Sequence, residues 1–261
     1  MHPVMNNKDK IIEHTMQSSS NHYDIISNKQ VGTDMYVLMI RGDFEGVPGQ
    51  FYMLRGIDSF MTLSRPLSIF DIDKAGSGKD GNISFLYKVC GRGTAYFSSL
   101  KKDDRIILYG PYGRGFPVEE YKDKNVLLVG GGMGCAPLVF AAKYLKNADL
   151  KIGFRRGVMD EAQKENFFAK YAGSANTSLH IDCDVTQDIR MDEYDAVMSC
   201  GPEGMMKKLT EKHSNTYISL EKHMGCAVGA CLSCTCEVKG KRVRVCKEGP
   251  VFKGSEVRFD D

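Results

Sequence analysis

From Tyr23 to about Phe116 the chain alternates short apolar runs with turn residues. The runs are Met35 to Ile40, Gln50 to Leu54, Leu67 to Phe70, Ile83 to Val89 and Arg105 to Tyr109. Between them stand Gly42-Asp43, Val47-Pro48-Gly49, the Ala75 to Gly81 stretch and Gly110-Pro111, the residue types that tight turns require. Short strands punctuated this way predict a small antiparallel β-barrel. After Asn125 the period changes. Val126-Leu127-Leu128-Val129 is a continuous apolar run that ends in Gly130-Gly131-Gly132-Met133-Gly134, and Pro137 to Leu145 then follows helical spacing.

Further strands are expected at Leu150 to Phe154, Ser178 to Ile181, Ala196 to Ser199 and Tyr217 to Leu220, with helices near Asp160 to Tyr171 and Glu203 to His213. Strands alternating with helices imply a parallel sheet of the doubly wound kind. The fold class is therefore α+β and multidomain. Residues 1–20 read as a polar tail, 21–116 as the barrel, 117–220 as an α/β domain and 221–261 as a small cysteine-rich module.

Composition narrows the class. With 42% hydrophobic residues the chain can fill real cores, and its net charge of +2 gives no electrostatic case for nucleic acid or an anionic membrane. The sequence shows no apolar run long enough to span a bilayer and no apolar stretch near its start resembling a secretory signal, so a cytoplasmic protein is expected. Nine cysteines, five of them between Cys226 and Cys246, suit a reducing compartment and a metal site better than a disulfide framework.

Cys226, Cys231 and Cys234 stand in a C-x4-C-x2-C frame, with Cys246 downstream. This is the plant-type 2Fe-2S ligand spacing. A four-cysteine zinc site and a disulfide pair are the competing uses of these residues. Cys236, two residues after Cys234, falls outside the frame and reads as a free thiol.

Arg65-Pro66-Leu67-Ser68, placed by this reading on the third barrel strand, offers a guanidinium fork for a phosphate and a hydroxyl beside it. Leu86-Tyr87-Lys88 followed by Gly91-Arg92-Gly93-Thr94 adds an aromatic, a cation and a glycine turn opening a helix, as a second contact with a flavin dinucleotide would require. Gly132-Met133-Gly134-Cys135-Ala136-Pro137 is a G-x-G-x-x-P turn between strand and helix, where the backbone can approach a pyrophosphate. The zone where a ribose-binding acid is expected holds Phe154-Arg155-Arg156 instead, so both NAD and NADP are compatible with it. Cys200, before Gly201-Pro202, is expected to point into the cleft at the sheet's edge, the alternative being a buried core thiol.

The order R-P-L-S, G-x-G-T, G-G-G-x-G-x-A-P and C-G-P-x-x-M resembles the ferredoxin-reductase superfamily over roughly residues 21–220. The run Ser219-Leu220-Glu221-Lys222-His223-Met224-Gly225-Cys226 into G-A-C-L-S-C is similar to the electron-transfer subunits of class 1B dihydroorotate dehydrogenase. That resemblance implies FAD on the barrel, held by Arg65, Pro66, Leu67 and Ser68 with Leu86, Tyr87, Lys88, Gly93 and Thr94. It implies NAD as substrate near Gly132, Gly134 and Cys200, and one 2Fe-2S cluster on Cys226, Cys231, Cys234 and Cys246. It further implies a partner, an FMN-containing dihydroorotate dehydrogenase catalytic subunit, in a heterotetramer with two chains of each. Leu67 stands where many superfamily members carry an aromatic. A reductase subunit of the same architecture serving ferredoxin, sulfide or polysulfide shares these motifs, and a zinc-binding sensor or interaction protein is the more distant alternative. NADH carries a hydride whereas an iron-sulfur cluster takes one electron, so a flavin between them is required; no catalytic acid or base is assigned to this chain.

Overall fold

The computed structural model describes residues 21–57, 62–76, 80–158 and 167–259. The polar tail and the first part of the helix expected from Asp160 lie outside the described residues, while 167–171 are helical. Seven strands form the first unit: β1 (His22–Gly32), β2 (Met35–Arg41), β3 (Phe51–Gly56), β4 (Arg65–Ser68), β5 (Asp71–Asp73), β6 (Asn82–Lys88) and β7 (Arg105–Tyr112). They pair antiparallel in the order β4-β3-β7-β1-β2-β6-β5, a half-barrel with helix α1 (Arg92–Ser99) between β6 and β7.

β1 and β5 carry too few buried apolar side chains for the hydrophobic pattern to show them. In β1 only Ile25 is buried, yet its backbone pairs with both β2 and β7. Asn28 gives this polar strand a structural role: its amide donates to the Phe97 and Leu100 carbonyls at the end of α1 at 2.8 and 3.0 Å, and its oxygen accepts from Tyr87 Oη at 3.1 Å. Because β1 precedes the expected strands, Arg65–Ser68 lies on the fourth strand rather than the third.

β2 and β6 are buried on both faces, which explains their near-continuous apolar runs. Leu38, Ile40, Ile83, Phe85 and Tyr87 face the barrel core. Met35, Val37 and Leu86 face a second core built mainly by the parallel sheet. Lys143 Nζ bonds Asp71 Oδ1 at 2.6 Å across the same junction, and the Phe70 and Phe167 rings stack there at 6.0 Å.

The second unit contains β8 (Asn125–Gly131), α2 (Cys135–Ala142), β9 (Asn147–Phe154), β10 (Asn176–Ile181), β11 (Ala196–Cys200), α3 (Glu203–Lys212) and β12 (Thr216–Ser219). Every residue of α2 is buried, since the helix lies between the sheet and the barrel, and Phe140 reaches the barrel core. The last residues form a hairpin, β13 (Thr235–Val238) with β14 (Lys241–Arg244), and then β15 (Val251–Lys253) returns to the sheet antiparallel to β12. The sheet order is β10-β9-β8-β11-β12-β15. The strand order reverses between β8 and β11, where ligands of open α/β sheets bind. A third core joins Phe51 and Met53 of the barrel, Met206 and Ile218 of the sheet unit, and Ala227, Cys234, Val245 and Cys246 of the C-terminal segment. Among the described residues no helix is long and apolar enough to cross a membrane.

The turn after β8 presses on the end of β11, and a Cβ at Gly134 would collide with the carbonyl of Cys200. Gly134→Ala should therefore cost about 1–3 kcal/mol by overpacking, lowering Tm by roughly 2–10 °C in thermal unfolding. An unchanged Tm would show that this crossing accepts a methyl group.

Candidate functional site

Two cavities of about 630 Å³ each meet along the junction between barrel and sheet. The first is lined by Arg65, Pro66, Leu67 and Ser68 of β4, Leu86, Tyr87 and Lys88 of β6, and Thr94 of α1. Gly93 sits under Arg65, where an added Cβ would meet the guanidinium, so glycine lets that cation lie over the start of the helix. Thr94 Oγ1 accepts from the amides of Cys90 at 2.9 Å and Gly91 at 3.3 Å, which holds the turn in place. The start of α1 thus presents backbone donors and a guanidinium together, an arrangement suited to a pyrophosphate. Tyr87 differs from the expectation of an aromatic contact. Its ring is packed against Tyr36 and Phe97 in the barrel core, and burial pushes its phenol well above the usual range.

The second cavity opens at the C-terminal edge of the parallel sheet. Gly131, Gly132 and Met133 line it from the β8 turn, Gly153, Phe154 and Arg155 from β9, Asp182 to Val185 from the end of β10, and Pro202 with Met205 from α3. Gly132 is left-handed at φ 56°, which favours glycine at the turn. Lys88 and Met133 line both cavities and form their common wall. Cys200 and Gly134 line neither. Cys200 is 1% exposed and its thiol faces Glu221 Oε1 at 3.8 Å, so the side chain expected in the cleft lies beneath Glu221 instead. Burial, then the Glu221 charge, drives the Cys200 thiol far above its ordinary value. Glu221 opens onto the first cavity, but protein walls its carboxyl and pushes its pKa upward, with the Cys200 thiol offsetting this.

Asp182 and Asp184 lie well beyond the zone twenty residues after the glycine turn, because they follow the next strand but one. Asp182 accepts from the Arg156 amide at 2.8 Å and from its Nε at 3.2 Å, while the Lys208 ammonium and Thr186 hold the Asp184 carboxyl well below its usual range.

The C-terminal loop gathers four thiols two by two. Cys226 Sγ accepts from the amides of Ala230 and Cys231 at 3.2 and 3.3 Å, and Cys234 Sγ accepts from the Cys246 amide at 3.4 Å. Ala227, Gly229 and Leu232 are left-handed at φ 58°, 80° and 59°, conformations that turn successive amides inward. Such backbone costs about 1–3 kcal/mol at a non-glycine residue, and it concentrates at functional sites. Cys231 is drawn down to about 6 by hydrogen bonds from Ser233 and then from Cys226. Among the described residues no three His, Cys, Asp or Glu side chains are arranged around a single ion. Two thiol pairs with amides directed at sulfur suit a two-iron cluster better than tetrahedral zinc. Cys236 lines a separate cavity of about 80 Å³ beside Glu203 and Lys222, and burial pushes its thiol up to about 11.

A half-barrel, a parallel sheet with a glycine turn and a cysteine loop define a ferredoxin-reductase-like electron-transfer protein. Residues 221–258 match the iron-sulfur cluster binding domain of dihydroorotate dehydrogenase B. The electron transfer subunit of dihydroorotate dehydrogenase B (NAD(+)) from Clostridium acetobutylicum is 44% identical over 91% of this chain and 96% of its own. The corresponding subunit from Clostridium perfringens is 38% identical, over 89% and 95%. The chain belongs to this family of dihydroorotate dehydrogenase B electron transfer subunits. Among solved structures, an NADH-dependent reduced ferredoxin-NADP oxidoreductase superposes with a TM-score of 0.72 and 28% identity, over 91% of this chain and 89% of the other. Phthalate dioxygenase reductase shares the fold at a TM-score of 0.60 and 15% identity, over 83% and 86%.

Alanine at Cys226, Cys231, Cys234 or Cys246 should abolish bound iron and the reduced-state paramagnetic signal, whereas Cys236→Ala should retain both. Iron analysis and electron paramagnetic resonance read the outcome, and retention in Cys234→Ala with loss in Cys236→Ala would exchange the two assignments.

Proposed function

We propose that this chain is the oxidoreductase subunit that links a dihydroorotate-oxidising, FMN-containing catalytic subunit to NAD, through a 2Fe-2S cluster and FAD. One observation carries the reading. The segment Ser219 to Met224 lines the first cavity and runs directly into Cys226, while Lys88 and Met133 separate that cavity from the second by one layer of side chains. Three sites thus lie in series.

Bound FAD exchanges two electrons with a pyridine nucleotide and single electrons with an iron-sulfur cluster. The residues of the chain bind and orient. Arg65 and the first turn of α1 supply positive charge to a pyrophosphate, and Gly132 lets the backbone approach the nucleotide in the second cavity. Cys226 and Cys231, with Cys234 and Cys246, would hold the cluster, which would supply one-electron transfer. Cys234 and Cys246 are each 1% exposed, which excludes water from that side of the loop.

The partner fits the opposite side. Val228 is 54% and Leu232 61% exposed and Ala230 is exposed as well, apolar residues that alternate in the loop with Cys226 and Cys231. Ala227, the residue before Val228, does not share this exposure and is buried in the third core. A patch of this kind suits the core of a subunit interface. Two chains of each kind in a heterotetramer, working in the cytoplasm where the nine cysteines stay reduced, complete the proposal.

Arg65→Ala removes a charge-assisted contact of about 1.5–3 kcal/mol, so FAD affinity should fall roughly ten- to hundredfold while iron content holds. Flavin titration tests it, and unchanged affinity would place the pyrophosphate elsewhere. The isolated chain should pass electrons from NADH to an artificial dye yet fail to couple dihydroorotate oxidation to NAD. Adding the catalytic subunit should establish that coupling, and Val228→Glu should block it while sparing the dye reaction. Dihydroorotate oxidation by the single chain would overturn the proposal.

A further inference from the structure

Ser233 is not one of the four cysteines, yet its hydroxyl reaches both sides of the boundary between the cysteine loop and the first cavity. Ser233 Oγ lies 3.1 Å from Cys231 Sγ and 3.3 Å from the main-chain oxygen of His223, a residue lining that cavity. The backbone keeps it there. Leu232 is left-handed at φ 59°, and its carbonyl accepts from Thr235 Oγ1 at 2.6 Å. Gly225 leaves room for the contact, since a Cβ there would lie 3.3 Å from Cys231 Sγ and 3.8 Å from Ser233 Oγ.

A hydroxyl has one proton to donate, and here it has two acceptors. An iron-bound Cys231 is a thiolate without a proton of its own, so the hydroxyl must be the donor in any bond between them. Adding an electron to the cluster increases the negative charge on its sulfurs and strengthens a hydrogen bond to sulfur more than one to a neutral carbonyl. A donor that stabilises the reduced form more than the oxidised form raises the reduction potential. The main-chain amides at Cys226 and Cys234 act in the same direction, but they belong to the fold of the loop. The Ser233 hydroxyl can be removed without altering the backbone.

We propose that Ser233 is a positioning residue that raises the reduction potential of the cluster, its hydroxyl turning from the His223 carbonyl onto the Cys231 sulfur when the cluster is reduced. This rests on the reading that Cys226, Cys231, Cys234 and Cys246 hold a 2Fe-2S cluster.

The test is a redox titration of the full-length chain carrying flavin and iron, following the paramagnetic signal of the reduced cluster. In Ser233→Ala the midpoint should fall by the equivalent of about a three- to tenfold change in the reduced-to-oxidised ratio, tenfold being 59 mV for one electron. The flavin midpoint in the same titration should stay at the wild-type value, and Ser233→Thr, which keeps the hydroxyl, should restore the cluster midpoint. An unchanged or raised midpoint in Ser233→Ala, or an equal fall in Ser233→Thr, overturns the proposal. Loss of iron from Ser233→Ala also overturns it, because the hydroxyl would then serve to retain the cluster rather than to set its potential. Absence of iron from the wild-type chain would instead overturn the cluster reading itself.

Discussion

Leu86 and Tyr87 are neighbours in the chain and belong to different cores, one shared with the parallel sheet and one inside the barrel. The same division runs along β2, where Met35 and Val37 face one way and Leu38 and Ile40 the other. A strand pair with two apolar faces must be covered on both, so the barrel and the sheet unit cannot separate without exposing one of them. That constraint fixes the relation between the two cavities. Lys88 ends β6 and Met133 follows β8, and the packing brings both residues to one wall. A short path between the two cavities follows from the burial of β2 and β6.

The cysteine loop is tied to this frame by hydrophobic packing rather than by a flexible linker. Ala227, Cys234, Val245 and Cys246 pack with Met206 and Ile218, and β15 adds a strand to the sheet beside β12. The loop can therefore carry left-handed residues at Ala227 and Leu232, because the surrounding core over-determines their conformation. Its outward side is different. Val228 and Leu232 remain exposed, so one short segment is anchored inside the protein on one side and offers apolar surface on the other.

Most of the strands and both glycine turns were legible because each rests on neighbouring residues. The apolar run Val126 to Val129 before Gly132, and the Arg65-Pro66-Leu67-Ser68 run that lines the first cavity, need only local sequence to be noticed. β1 was not, since its residues are largely polar and its place is held by backbone pairing and by Asn28, whose partners lie about seventy positions away. Asp182 and Asp184 escaped for a related reason. They enter the second cavity through the order of strands in the sheet, which spacing from the glycine turn does not report.

What the sequence determined by itself was the covalent spacing of chemical groups: Cys226, Cys231 and Cys234 in a C-x4-C-x2-C frame with Cys246 downstream, a glycine turn between strand and helix, and an arginine opening a short strand. What only the tertiary structure decided was direction. Tyr87 turns its ring into the barrel core, Cys200 lies beneath Glu221, and Cys236 faces its own small cavity. The physical reason is that spacing limits which residues can meet, whereas the side on which each side chain is buried depends on packing between segments far apart in the chain.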